Sequence, residues 1–391
     1  MSALANEFST FDAKMMARAL TLARKGKYSS TPNPHVGCVI VDQTSQIVGE
    51  GFTQPAGEDH AEVNALQQAG AKSVGATLYV TLEPCAHYGK TPPCALALIK
   101  ANVKKVVIAC TDPNPSVNGK GIKMLLDAGI EVSTGLMQNT ALALNEAFFT
   151  RIKYDRPFIT VKLAASIDGK TALQNGESQW ITSLQARADV QRHRASVCAI
   201  LTGADTVIAD NPQLNVRPNE LSESIAQQFA WRGKQPLRVV IDSQNRLSRE
   251  KSQIFNDGHA SLVYNLKNNV NLGIKKDDLV SQQQVASIKS GDREYADLQL
   301  VLTDLASKGI NHLWVEAGEK LSGALFDLGL VNRLILYQAP KLLGSSGRGL
   351  TQITAKSSLS EALTGDVINV SRIGPDIKTI IQFSQLNKAG N

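Results

Sequence analysis

Thr81-Leu82-Glu83-Pro84-Cys85-Ala86-His87-Tyr88-Gly89-Lys90-Thr91-Pro92-Pro93-Cys94, with His60-Ala61-Glu62 upstream and Glu83 lying 21 positions after Glu62, contains an imidazole and two thiols in an order that suits a metal. His60, Cys85 and Cys94 make three zinc ligands, and a catalytic zinc keeps its fourth position for water, whose pKa falls to about 7 on the metal. Glu62 stands two positions from the histidine and is not itself a ligand. A carboxyl there can move protons between an attacking water and a departing group. A closed structural site would need a fourth ligand, for which His87 is the nearest candidate, and a His-x-Glu triplet alone arises often by chance. All three pieces in this order favour a catalytic site holding one Zn2+ per chain. The prolines before Cys85 and Cys94 place both thiols where helices begin, where unpaired N–H groups favour the thiolate, and Asp59 is placed to cap a helix opening at His60.

Outward from this cluster, 391 residues, 43% of them hydrophobic and 5% aromatic, exceed one ordinary core and predict two domains. Helical spacing over Asp12 to Lys25, after Ser9 and Thr10 as candidate caps, ends at Gly26, where a left-handed turn is expected. Short β-branched runs at Val36 to Val41, Ile47 to Phe52, Thr77 to Leu82, Lys105 to Thr111 and Ile130 to Ser133 alternate with helical patterns at Ala61 to Ala69, Ala95 to Lys100 and Ile122 to Ala128. Such alternation predicts an α/β sandwich. A long helical pattern, Thr140 to Tyr154, stops before Pro157, and a strand, Phe158 to Leu163, follows, which sets the domains at 1–150 and 151–391. The second half again alternates, with strands at Ala199 to Thr202, Leu237 to Ile241, Ser261 to Tyr264, Leu313 to Glu316 and Leu334 to Gln338. Its helices fall near Ser183 to Ala195, Leu298 to Lys308 and Leu321 to Leu328. Asn219 to Gly233 and Asn265 to Asn271 are polar, lack strong periodicity and read as surface insertions.

The Thr81 to Cys94 stretch, Pro32-Asn33-Pro34-His35-Val36-Gly37 and Asp112-Pro113-Asn114-Pro115 resemble the bifunctional pyrimidine deaminase/reductases of riboflavin biosynthesis. So do Lys162 to Lys170 and Ser178-Gln179-Trp180-Ile181-Thr182, so that the likeness covers essentially the whole chain. The first half resembles the cytidine-deaminase superfamily, although eight residues between the cysteines is longer than the spacing usual in cytidine and tRNA adenosine deaminases. The resemblance implies an N-terminal cytidine-deaminase-like α/β/α sandwich and a C-terminal dihydrofolate-reductase-like α/β domain. It implies zinc on His60, Cys85 and Cys94, Glu62 as proton donor and acceptor, Asn33 against the pyrimidine, and His87 and Lys90 facing the ribose phosphate. The reaction implied is hydrolytic loss of an amino group from a diaminopyrimidinone ribosyl phosphate, followed by NADPH-dependent reduction of its ribosyl group to ribityl.

In the second half, the strand Leu313 to Glu316 runs into Ala317-Gly318-Glu319-Lys320-Leu321-Ser322-Gly323, a glycine turn opening a helix that offers free N–H groups to a phosphate. Unaided, it reads equally well as an ordinary strand-to-helix turn. The resemblance implies that Gly318, Glu319, Lys320, Leu321, Ser322, Gly323 and Ala324 hold NADPH together with Ala164, Trp180, Thr206, Asp210 and Ser243. It implies further that Ser178, Arg194, Leu214, Arg217 and Glu316 hold substrate. The preference for NADPH over NADH comes from the resemblance alone.

The first 30 residues lack the apolar core of a signal peptide, and five cysteines in a chain this long do not suit a disulfide framework, so a cytoplasmic location is expected. With 41 basic against 35 acidic residues, the net charge of +6 is mild. A phosphorylated pyrimidine accounts for it as well as nucleic acid would, and aromatic residues for base stacking are few. The expected partner is that small molecule, with no nucleic acid and no membrane, and the expected assembly is a homo-oligomer. Two rivals are a tRNA or nucleotide deaminase with an accessory domain and a noncatalytic zinc-stabilised nucleotide binder, and the latter leaves Glu62 without a role.

Overall fold

The structure is a computed structural model describing residues 8–88, 92–276 and 278–383. The chain forms two compact units, one of Met1–Tyr154 with Ser224–Gly233, the other of Asp155–Glu223 with Lys234–Asn391.

In the first unit, α1 (Thr10–Lys25) opens on a capping box: Asp12 N–H donates to the Ser9 hydroxyl at 3.1 Å while Ser9 N–H donates to the Asp12 carboxylate at 2.9 Å. Met15, Met16, Ala19, Leu20, Leu22 and Ala23 give it one buried face. The left-handed end expected at Gly26 is absent. Its φ is −76°, because its N–H already reaches the Ala23 carbonyl at 3.1 Å in a right-handed turn. Strands β1 (Gly37–Val41), β2 (Ile47–Phe52), β3 (Thr77–Val80), β4 (Lys105–Ile108) and β5 (Glu131–Thr134) form one sheet in the order β2-β1-β3-β4-β5. β1 runs antiparallel to β2 and β3, and β3, β4 and β5 are parallel. Helices α2 (Ala61–Ala69), α3 (Cys94–Lys100) and α4 (Lys120–Asp127) connect them. α2 lies directly on β2, since a Cβ at Gly51 would stand 2.2 Å from the Ala61 carbonyl oxygen.

Thr140 to Tyr154, expected as one helix, is two: α5 (Gln138–Leu144) and α6 (Glu146–Tyr154). Asn145 interrupts them because its amide is committed elsewhere, accepting from His35 N–H at 2.7 Å and donating to the His35 carbonyl at 2.9 Å. The expected insertion Asn219 to Gly233 contains a helix, α9 (Glu223–Arg232), numbered here after the intervening α7 (Leu184–Ala195) and α8 (Ala204–Asp210). Its Phe229 is buried, and its Trp231 ring meets Phe52 edge-on with centroids 6.2 Å apart.

The second unit is one nine-stranded sheet and a small hairpin. Its strands are β6 (Phe158–Ser166), β7 (Ala199–Gly203), β8 (Leu237–Ile241), β9 (Ser261–Asn265), β10 (Val280–Gln284), β13 (His312–Val315), β14 (Arg333–Ala339), β15 (Asp366–Ile373) and β16 (Asp376–Gln382); β11 (Ser287–Ser290) and β12 (Arg293–Ala296) form the hairpin. The order is β10-β9-β8-β7-β13-β6-β14-β16-β15, parallel from β10 to β14, with β16 antiparallel to both its neighbours. Helices α10 (Leu298–Ser307) and α11 (Glu319–Asp327) join α7 and α8 beside the sheet. Because β13 enters between β7 and β6, the direction of winding reverses there, and the crevice beyond the carboxyl ends of such strands is where open α/β sheets bind ligands. No helix among the described residues is long and apolar enough to cross a membrane.

Candidate active sites

In the first unit the sheet brings three loops together: the chain entering β1, the chain leaving β2, and the chain leaving β3. Gly37 N–H donates to the Thr81 hydroxyl at 3.1 Å, Val36 N–H to the Thr53 hydroxyl at 3.3 Å, and Gln54 N–H to the Asp59 carbonyl at 3.2 Å. His60 thereby arrives beside the segment that carries Cys85 and Cys94. The ligand atoms of His60, Cys85 and Cys94 all lie within 4.8 Å of one another. His60 Nδ1 is 3.2 Å from Cys94 Sγ and 3.7 Å from Cys85 Sγ. A tetrahedral zinc with ordinary Zn–S and Zn–N lengths sets such N···S separations at about 3.6 Å, so the donor set fits the ion in chemistry and in spacing.

The expectation that both thiols open helices holds for Cys94, the first residue of α3, but not for Cys85, which lies in irregular chain outside any helix. Cys85 reaches a helix start from outside, its Sγ accepting the Cys94 N–H at 3.2 Å. Hydrogen bonding from Cys94, against the opposing effect of burial and with help from His60, draws the Cys85 thiol well below its ordinary value. Asp59 does not cap α2: His60 is the N-cap residue with no side-chain cap bond, and the Asp59 carboxylate accepts instead from Gln67 at 2.9 Å.

Glu62, in the first turn of α2, is 4% exposed, and burial pushes its carboxyl up to about 7. Asn33 is half-buried on the loop into β1, two residues before the His35 backbone that Asn145 grips. His87 is exposed on the loop between the two thiols, and Lys90 lies outside the described residues. Asp112, quoted above only as part of a motif, is buried, which pushes it up to about 6, and it feels the charges of both Cys85 and His87.

In the second unit Ala164 lies near the end of β6, Thr206 and Asp210 lie on α8 after β7, and Glu316 follows β13. Gly318 is the N-cap of α11 with an extended backbone and no side-chain cap bond, so the strand-to-helix turn forms as expected. Glu319 to Ala324 continue into that helix, where Ser322 and Gly323 are buried. Gly323 packs against chain: a Cβ there would stand 2.1 Å from the Gln352 carbonyl oxygen. Lys320 and Leu321 lie on the first turn, Leu321 close to Gly203 at the start of α8. Ser243, just past β8, accepts from Ala296 N–H at 2.9 Å.

Arg194 and Glu316 form a partly buried ion pair, Nε to Oε1 2.5 Å and Nη2 to Oε2 2.9 Å, while Arg194 Nη1 donates to the Asn215 carbonyl at 2.9 Å. Trp314 Nε1 donates to Glu316 at 2.9 Å. Burial opposes ionisation of Glu316, yet Arg194 and Lys162 outweigh it and hold the carboxyl at about 2. Lys162 is a group that pattern reading passed over: an apolar strand, β6, carries a half-buried lysine whose pKa desolvation lowers, near the charges of Glu316 and Arg194. The signal was that lysine itself inside Phe158–Ser166. Trp180 is 63% exposed with the Arg187 guanidinium 4.1 Å above its ring, and Ser178 lies two residues before it on the same irregular segment. Arg217 is ion-paired to Glu220 at 2.5 Å. The Leu214 side chain belongs to the core, 4% exposed, on a backbone with φ 51°.

Residues 157–379 match the model of the RibD C-terminal domain, and residues 9–110 that of the cytidine and deoxycytidylate deaminase zinc-binding region. The chain is 46% identical over 374 residues to the riboflavin biosynthesis protein RibD of Haemophilus influenzae, covering 95% of this chain and 97% of that protein. Among solved structures it is similar to RibD of Acinetobacter baumannii, at 42% identity and a TM-score of 0.86, covering 96% of this chain and 99% of that one. It is also similar to a diaminohydroxyphosphoribosylaminopyrimidine deaminase/5-amino-6-(5-phosphoribosylamino)uracil reductase from Thermotoga maritima, at 31% identity and a TM-score of 0.79, with 96% and 99% covered.

Proposed function

We propose site residues and substrates for a chain that belongs to the RibD family, the bifunctional deaminase/reductases of riboflavin biosynthesis. Its fold is a cytidine-deaminase-like domain followed by a dihydrofolate-reductase-like α/β domain, and its cofactors are zinc and NADPH. The substrates carried over from the Thermotoga relative are 2,5-diamino-6-ribosylamino-4(3H)-pyrimidinone 5′-phosphate for deamination and 5-amino-6-(5-phosphoribosylamino)uracil for reduction. The observation that carries the deaminase assignment is the convergence of His60, Cys85 and Cys94 within 4.8 Å beside a buried Glu62.

His60, Cys85 and Cys94 would hold the zinc, which supplies an acidified water for attack on the ring carbon bearing the amino group. Glu62 takes a proton from the attacking water at its carboxylate and returns it to the departing nitrogen. Its burial keeps the carboxyl close to neutrality in proton affinity, as that exchange requires. Asn33 orients the pyrimidine, and His87 and Lys90 meet the phosphate. In the second unit the free N–H groups of the Gly318 turn and of the first residues of α11 receive the pyrophosphate of NADPH, which supplies the hydride to C1′. Glu319, Lys320, Leu321, Ser322, Gly323 and Ala324 continue that wall, with Ala164, Trp180, Thr206, Asp210 and Ser243 around the rest of the cofactor. Arg194 and Glu316, together with Lys162, form a charged floor beside the middle of β6 and the end of β13; Ser178, Leu214 and Arg217 complete the substrate site.

We place the deaminase in residues 1–150 and the reductase in 151–391, with the segment Ser224–Gly233, which holds most of α9, counted in the compact body of the first. A cytoplasmic homo-oligomer acting on this small phosphorylated pyrimidine, rather than on nucleic acid, completes the reading. The test is incubation with the diaminopyrimidinone ribosyl phosphate, with and without NADPH, following ammonia and NADPH separately. Ammonia should appear without NADPH, and NADPH should be consumed only afterwards; an absence of ammonia from zinc-loaded protein would refute the deaminase assignment.

A further inference from the structure

Glu83 is 3% exposed, yet it lies in a stretch whose neighbours are apolar or proline. Its carboxylate is filled by backbone. Oε2 accepts from Asp112 N–H at 3.2 Å and Gly119 N–H at 3.1 Å, and Oε1 from Gly121 N–H at 3.1 Å and Ile122 N–H at 3.3 Å. Gly119 is the N-cap of α4 and has no side chain to cap it, so the orphan donors of that first turn are satisfied by a carboxylate from 36 positions upstream. The next residue is fixed against the same turn. A Cβ on Gly121 would stand 2.0 Å from the Pro84 carbonyl oxygen, so the chain at Pro84 rests on a glycine that leaves room for it.

Cys85 comes directly after these two anchors, and its Sγ takes the Cys94 N–H at the start of α3. From the end of β3 to the thiolate, the chain is held at Glu83 and Pro84 by α4 and at Cys85 by α3. The same Oε2 also ties both ends of the Asp112 to Gly119 loop, which brings Asp112 into the field of Cys85 and His87.

We propose that Glu83 is a positioning residue of the deaminase: clamped on the first turn of α4, it fixes Cys85 where its thiolate can hold zinc and closes the Asp112 to Gly119 loop beside it. Outer partners that orient ligands are worth about 10–100-fold in metal affinity or activity. This rests on the zinc-deaminase reading of His60, Cys85 and Cys94. Both oxygens must accept, which makes Glu83→Gln a sharp perturbation. Either orientation of its amide turns an NH2 group toward two backbone N–H donors while the size of the side chain is unchanged.

The full-length Glu83→Gln protein is expected to lose zinc about 10–100-fold more readily to a competing chelator. At saturating zinc it should show a lower kcat for ammonia release with KM near that of the parent. In the cobalt(II)-substituted protein the thiolate-to-metal charge-transfer band should weaken or shift. Reduction of the deaminated substrate by NADPH serves as the control for an intact second unit and should not change. Gly121→Ala, which crowds the Pro84 carbonyl and the neighbouring Glu83 Oε1 while leaving the carboxylate chemically unchanged, should move the same readouts in the same direction. Folded variants with parental zinc affinity, cobalt spectrum and kcat would overturn the proposal. So would loss of the first unit's cooperative melting in both variants, which would assign the clamp to folding alone. If the parent chain itself bound no zinc or released no ammonia, the reading of the three ligands would fall first.

Discussion

Gly318→Val separates the cofactor turn from the rest of the molecule, because the structure gives that glycine no packing reason to be glycine. Its backbone, φ −69° and ψ 175°, is extended and open to any residue, and the nearest atom to an added Cβ is Thr206 Oγ1 at 3.9 Å. The fold should lose at most about 1 kcal/mol, since valine is a poorer N-cap than glycine. The branched side chain instead projects in front of the free N–H groups of α11, where a phosphate would approach. Losing one charge-assisted hydrogen bond there costs about 1.5–3 kcal/mol, or about 10- to 150-fold in Kd for NADPH. The assay is NADPH titration by fluorescence, with thermal melting, zinc content and ammonia release measured on the same preparation. Unchanged NADPH affinity would mean the turn is not the pyrophosphate site. Gly323→Ala is the contrasting case: its Cβ would collide with the Gln352 carbonyl, so it should fail through folding, not binding.

Three further outcomes follow from the geometry. Glu62→Gln should retain zinc while ammonia release drops by about 10²-fold or more, whereas Cys94→Ser should lose both zinc affinity and deamination; zinc analysis beside turnover distinguishes them. Asn145→Ala removes both bonds to the His35 backbone and should raise KM for the deaminase substrate several-fold through the adjacent Asn33, leaving zinc content unchanged. Glu316 titrates at about 2 in the folded chain, below an ordinary carboxyl, so its ionisation stabilises the fold fully above about pH 5 and progressively less as pH falls toward 2. The stability advantage of the parent over Glu316→Gln, read from urea unfolding of the second unit, should therefore shrink across that window, and an advantage that grows on acidification would contradict it.

Wherever apolar spacing alone decides an element, the sequence is a good guide: α1 with its Ser9 cap, α2, and the buried runs of β1, β4, β6 and β7 form within a few residues of their expected bounds. It fails where polar contacts decide. Asn145 breaks a continuous helical pattern because a partner 110 positions away claims its amide. β16 shows a weak inward apolar alternation because its two most buried residues are Asp376, which accepts from Ser183, and Lys378, paired with Asp189 at 2.7 Å. β10 is a polar edge strand, and the hairpin β11 and β12 is largely exposed. The grouping of His60, Cys85 and Cys94 near Glu62 was legible because such residues are sparse and ordered along the chain. Glu83 and Lys162 were passed over, since what sets them apart is their surroundings, four backbone N–H groups on Glu83 and the Arg194–Glu316 charges near Lys162, which the residue letters do not carry.

The place of β6 in its sheet has a consequence for how the chain is made. β6 ends at Ser166, but the strands that bond its two edges begin only at His312 and Arg333. A nascent chain therefore carries an apolar strand with both edges unpaired through most of the synthesis of the second half, and its pairing has the high sequence separation that slows folding. Ribosome-bound or prematurely terminated chains that stop short of His312 should be the aggregation-prone species, the ones a chaperone must hold. Destabilising lesions late in the chain should therefore reduce soluble yield out of proportion to their effect on the finished enzyme.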